Sequence, residues 1–130
     1  MVKLSTLIFL LPTLLFSQIT FQRIYGDSGP DAGYSVQQTL DGGYIIAGQT
    51  WSLGEELLDV YLIKTDSFGY LQWQRRYGGS EVDWGYSVQQ TFDGGYIITG
   101  CTESFGAGMD DVYLMKVEPS GDTMWTKTYG

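Results

Sequence analysis

The chain has 130 residues, a formal charge of −8, 18 glycines and an aromatic fraction of 15 %. An apolar fraction of 43 % against 17 % charged residues excludes a disordered chain, and an acidic balance with no basic cluster excludes nucleic acid and anionic membrane surfaces as partners. Histidine is absent, which removes the usual general base, the commonest metal ligand and every Ser-His or Cys-His nucleophile pair.

Residues 1–17 read as an address. Lys3 is a short positive start, Leu4 to Phe16 is an apolar run, and Ser17 is a small residue suited to the position before a cleavage site. The apolar run is short for a membrane span. The expectation is a signal peptide cut between Ser17 and Gln18, and a secreted protein that is extracellular or held at the cell surface. The single cysteine, Cys101, allows no intramolecular disulfide.

Residues 18–130 are built on a period of 52. GYSVQQT at 33–39 returns at 85–91, DGGYIIAG at 41–48 returns as DGGYIITG at 93–100, and DVYLIK at 59–64 returns as DVYLMK at 111–116. Between 26–77 and 78–129, 28 of 52 positions are identical with no gap, which makes repetition the organising fact of the chain. In chain order the first copy predicts strands at Gly33–Thr39, Gly43–Thr50, Asp59–Thr65 and Tyr70–Tyr77. The second predicts Gly85–Thr91, Gly95–Thr102, Asp111–Val117 and Asp122–Tyr129. Asp41-Gly42-Gly43 and Asp93-Gly94-Gly95 read as hairpin turns in which glycine takes a positive φ. Asp66–Gly69 and Pro119–Asp122 are a second set of turns. Runs such as Tyr44–Ala47 and Val60–Ile63 are apolar at successive positions, so those strands are expected to be covered on both faces. Asp59 and Asp111 are expected to cap the turn before their strands. No helical periodicity follows the first segment.

Tight turns joining antiparallel hairpins, with a longer loop between the second and third strands, predict an all-β chain of two four-stranded antiparallel β-propeller blades, 26–77 and 78–129. Ile19–Tyr25 (ITFQRIY) aligns with Leu71–Tyr77 (LQWQRRY), so 18–25 is expected to be a lone N-terminal outer strand. Two blades do not close a ring. The chain is therefore expected to be a fragment of a larger propeller, with further blades on its C-terminal side, or to associate with itself to complete the ring.

Asp66-x-x-Gly69-x-x-x-Trp73 and Glu118-x-x-Gly121-x-x-x-Trp125 resemble the tryptophan-docking motif of the quinoprotein-like β-propeller repeats and related bacterial secreted β-propeller repeat proteins. The Asp-Gly-Gly-Tyr-Ile-Ile-x-Gly segment is similar to a strand of the same repeats. The resemblance implies that Trp73 and Trp125 pack against the following blade, with Gly69 and Gly121 as structural positions. It brings no cofactor, because the quinone-site residues of that class have no match here.

The acidic residues beside glycines do not fit a calcium-loop template, and no carboxylate pair stands out for hydrolysis. No catalytic residue and no metal ligand is assigned. Residues that differ between the copies carry more functional information than those the blade explains. Trp51 stands against Glu103, Ala32 against Trp84, and Glu55-Glu56 against Ala107-Gly108. Since successive strands run antiparallel, the loops 26–32, 51–58, 78–84 and 103–110 share one rim. Trp51, Glu55, Glu56, Glu81, Asp83, Trp84 and Phe105 on that rim are the candidate ligand-binding residues, suited to sugars or cationic groups. The expected function is a non-catalytic binding or structural module with an extracellular glycan or protein ligand. The alternatives are an accessory propeller of a secreted carbohydrate-active enzyme, or a two-blade lectin that completes its ring by oligomerising.

Overall fold

The computed structural model describes residues 20–26, 28–51 and 57–130. The expected signal peptide and its cleavage site, and Glu55 and Glu56, lie outside the described residues. Among these residues every regular element is a strand: β1 (Asp31–Gln38), β2 (Tyr44–Trp51), β3 (Leu58–Thr65), β4 (Leu71–Tyr77), β5 (Asp83–Gln90), β6 (Tyr96–Thr102), β7 (Asp111–Val117) and β8 (Thr123–Tyr129). They form two four-stranded antiparallel sheets in sequence order, β1-β2-β3-β4 and β5-β6-β7-β8. No described helix is long and apolar enough to cross a membrane.

The turns follow from their residues. Gly42 and Gly94 have φ of 82° and 83°, values at which a side chain would clash. The hairpins close through Thr39 N–H to Gly43 O and Thr91 N–H to Gly95 O, both 2.9 Å. The Asp41 and Asp93 carboxylates each accept the N–H two residues on, at 3.0 Å, the turn role expected of them. Asp111 Oδ2 accepts the Ala107 N–H at 2.7 Å, which fixes the loop before β7.

One apolar cluster runs through both sheets, from Ile45, Val60 and Leu62 of the first to Val88, Tyr96 and Ile98 of the second. β5 lies against β1, β2 and β3. Gly85 permits this approach, because a Cβ there would stand 2.8 Å from Val60 Cγ1 and 3.1 Å from Gly48 O. Residues Val60–Ile63 of β3 are all buried, as the apolar run predicts, whereas in the Tyr44–Ala47 run only Ile45 and Ala47 are.

The expected lone outer strand is only partly realised. Residues 20–26 join no ladder, because strand pairing needs a neighbouring strand on which to exchange hydrogen bonds and the described residues supply none beside this segment. Its side chains nevertheless sit on sheet 1 as those of β4 sit on sheet 2. Phe21 meets the Tyr44 ring edge-on at 5.8 Å, and Trp73 meets the Tyr96 ring at 6.0 Å. The Tyr25 hydroxyl donates to Gly69 O at 2.7 Å, and the Tyr77 hydroxyl to Gly121 O at 2.6 Å. The Arg23 guanidinium lies 4.8 Å from the centre of the Tyr70 ring, a cation–π contact that adds to the hold.

Candidate functional site

Each sheet has two ends. At one lie the turns Asp41–Gly43 and Asp66–Gly69 and their copies. At the other lie the loops that enter β1 and β5 and the loops between β2 and β3 and between β6 and β7.

At the loop end, Trp51 closes β2 and is half exposed; its N–H donates to Pro30 O at 3.0 Å. Glu103, its counterpart, donates its N–H to Val82 O at 2.9 Å. Ser104 Oγ is 2.6 Å from Asp83 Oδ2 and accepts the Glu81 N–H at 3.0 Å. Asp83 Oδ2 also accepts the Gly79 N–H at 2.9 Å. Glu81, Asp83 and Phe105 are therefore brought together around Ser104. Asp83 is fully buried, and its other oxygen, Oδ1, has no hydrogen-bond partner. It holds the rim from beneath, while Glu81 and Phe105 stand at the surface. Phe105 lies against the Tyr113 ring, 5.8 Å between centres. Trp84 is half buried on β5, paired across the ladder with Cys101.

Glu103 and Asp110 extend the acidic rim and were not among the candidates read from sequence. Partial desolvation, then the neighbouring Asp110 carboxyl, pushes Glu103 above the usual carboxylate range. Burial, then Asp110, also raises the Cys101 thiol. Beside them, the bulges at Gly33/Ser35 and Gly85/Ser87 fall at Tyr34 and Tyr86, whose rings lie 5.8 Å apart. The difference of Glu103 from Trp51 between the copies was the sequence signal for this cluster, but nothing local placed Cys101 and Asp110 beside it. Among the described residues no group of three His, Cys, Asp or Glu side chains is placed to hold a metal ion.

At the turn end, a cleft of about 530 Å³ opens between the two sheets, lined by Gln37–Leu40 and Gln89–Phe92. Leu40 and Phe92 are exposed on its lips. Gln90 bridges it, donating its N–H to Gln37 Oε1 at 2.6 Å and accepting the Leu40 N–H at 2.8 Å. The short turns gave no sequence cue to a cleft there, since it arises from two copies standing side by side.

The turn end also holds a buried cation in each copy. Lys64, 3 % exposed, donates from Nζ to Asp41 Oδ2 and Thr65 O at 2.8 Å and to Gln72 Oε1 at 2.9 Å. The ladder shift between Lys64 and Thr65 falls at Gln72. Lys116 repeats the pattern with Asp93 and Val117 O, and has Met124 Sδ at 3.7 Å in place of the amide. Hydrogen bonds from Lys64 and Thr39 hold Asp41 down at about 2, and Asp93 is lowered through Thr91 and Lys116. The lysine joins the two hairpins of each sheet. Compared with known proteins, the chain matches no family model and no curated protein.

Proposed function

We propose that this chain is a secreted β-propeller segment of the quinoprotein-like repeat kind. It acts as a non-catalytic binding module for an extracellular glycan or protein. The observation that carries the propeller reading is the repeated mode of stacking. Trp73 and Tyr77 reach from the outer strand of one sheet onto the next, and Phe21 and Tyr25 reach onto the sheet before it with the same partners. Stacked, near-identical sheets leave their loop ends on a common rim.

The binding role rests on that rim. Trp51, Trp84 and Phe105 offer apolar faces, Glu81 and Glu103 offer carboxylates, and the Asp83–Ser104 clamp holds the loops on a rigid frame. Aromatic faces stack on sugar rings or cations while carboxylates accept from hydroxyls. The test is a glycan and cell-surface array probed with the chain and with Trp51→Ala and Trp84→Ala. The reading requires both variants to lose binding while circular dichroism is retained. Binding that survives both, or that is lost only with the fold, refutes it.

A further inference from the structure

The two sheets are near copies, yet equivalent residues have different surroundings. Val60 of β3 is 0 % exposed beneath sheet 2, whereas its counterpart Val112 of β7 is 52 % exposed. Val88 of β5 is 6 % exposed against sheet 1, whereas its counterpart Val36 of β1 is 64 % exposed. The contact between the sheets therefore has an outgoing face and an incoming face. Among the described residues one copy of each is not covered by a sheet: Val112, Trp125 and Tyr129 on sheet 2, and Gly33, Val36 and Ile46 on sheet 1.

Gly33 points to what covers the incoming face. Its counterpart Gly85 must be glycine, because a Cβ would press on Val60 Cγ1 at 2.8 Å. At Gly33 a Cβ would meet only Ile46 Cγ2, at 3.3 Å, so no neighbouring repeat within the described chain accounts for the glycine. A valine arriving from another repeat would. Val112 of a second copy is the residue equivalent to Val60, and it is uncovered.

We propose that a second copy of this chain docks head to tail, its Val112, Trp125 and Tyr129 face seated on the Gly33, Val36 and Ile46 face, in competition with residues 20–25. The competition is geometric. Phe21 and Tyr25 hold on sheet 1 the places that Trp73 and Tyr77 hold on sheet 2, which a second copy's Trp125 and Tyr129 must take. Residues 20–26 join no ladder, so their release breaks no strand pairing. The contact joins two different faces, so it repeats from copy to copy and closes into a ring where the rotation permits. The inference rests on the stacking half of the function proposed above and not on the rim.

The test is sedimentation of the full chain over the micromolar range. The mass of the unaltered chain is expected to rise with concentration. Val112→Lys blocks the outgoing face and Val36→Lys the incoming one; each alone is expected to sediment as a monomer, and an equimolar mixture as a one-to-one pair. Both side chains are exposed, so the fold is expected to survive, and circular dichroism checks it. The milder Val112→Ser and Val36→Ser give the same order with a smaller loss. Phe21→Ser combined with Tyr25→Ser is expected to tighten association about tenfold, by removing a ring contact and a hydrogen bond from the competitor. A chain monomeric at tens of micromolar, a single-face variant that still associates, or a mixture that stays monomeric overturns the proposal. An unchanged affinity in the Phe21, Tyr25 variant overturns the competition. Failure of the stacking reading itself shows separately, as a Gly85→Ala substitution without effect on stability.

Discussion

Gly85→Ala is the sharpest test of how the two sheets meet. The added Cβ would lie 2.8 Å from Val60 Cγ1, 3.1 Å from Gly48 O and 3.7 Å from Ile98 Cγ2. Only the last is an ordinary contact, since carbon atoms rest at about 3.5–4.0 Å. Val60 cannot swing away: it is fully buried and β-branched, hence stiff about its first torsion. The Gly48 carbonyl is fixed in β2. The sheets must part instead, and a gap of about 0.5–1 Å forfeits a quarter to a half of each dispersion contact across the seam. Overpacking of this kind costs about 1–3 kcal/mol, a large share of the roughly 5–15 kcal/mol that stabilises a domain. Gly33→Ala is the internal control: it is the same position of the repeat, exposed, with one neighbour at 3.3 Å, and its effect is expected within about 0.5 kcal/mol. Urea unfolding followed by tryptophan fluorescence at sub-micromolar concentration reads the difference. With a slope of about 2 kcal/mol per molar, the Gly85→Ala midpoint is expected about 0.5–1.5 M lower and the Gly33→Ala midpoint unmoved. Equal midpoints for the two variants would refute the close approach of the sheets.

Tyr77→Phe removes the 2.6 Å bond to Gly121 O and is expected to lower stability by about 1 kcal/mol; an unchanged urea midpoint would mean that the bond contributes nothing net. Asp41 is held at about 2 against its ordinary 3.8, so its link to Lys64 contributes above pH 4 and is lost as pH falls through 2. The urea midpoint is expected to drop over that window, and less steeply in Asp41→Asn; a parallel drop would place the acid sensitivity elsewhere. The raised Cys101 thiol is expected to react with a disulfide reagent at pH 8 more slowly in the folded chain than in urea, and equal rates would contradict its half-buried setting.

The strands were legible because the chain states each of them twice. Asp111–Val117 was read to the residue, and the other boundaries moved by one or two positions at an end. The Asp-Gly-Gly turns followed from local chemistry alone. What the sequence hid was relational. Lys64 looks like a surface charge in a strand, and nothing in its neighbours announces that a bulged Gln72 and a turn aspartate across the sheet will satisfy it in the interior. Asp83 looked like a surface acid of a loop, but it is buried and one of its oxygens is taken by Gly79 and Ser104, a serine 21 residues away whose role no local pattern marks. Residues 18–25 carry the sequence of a strand, but a strand is a property of a pair, and over the described residues 20–25 only the side-chain half of the resemblance is expressed.

The placement of the cations has a consequence for how copies of this molecule can meet. Of seven basic residues, Lys64 and Lys116 are buried and Lys3 precedes the described residues. The other four, Arg23, Arg75, Arg76 and Lys127, are exposed and fall on residues 20–26 or on β4 and β8, the last strand and one of the two edges of each sheet. An outer strand offers a row of unpaired N–H and C=O groups to any passing strand, and like charges along it are the usual guard against such pairing. Among the described residues the exposed cations all stand there, so pairing of one such edge with another is opposed by repulsion and by the desolvation of guanidinium and ammonium groups. Arg75 and Lys127 alternate with Trp73 and Tyr77 and with Trp125 and Tyr129 along their strands, so one cation also stands on the outgoing face of each sheet.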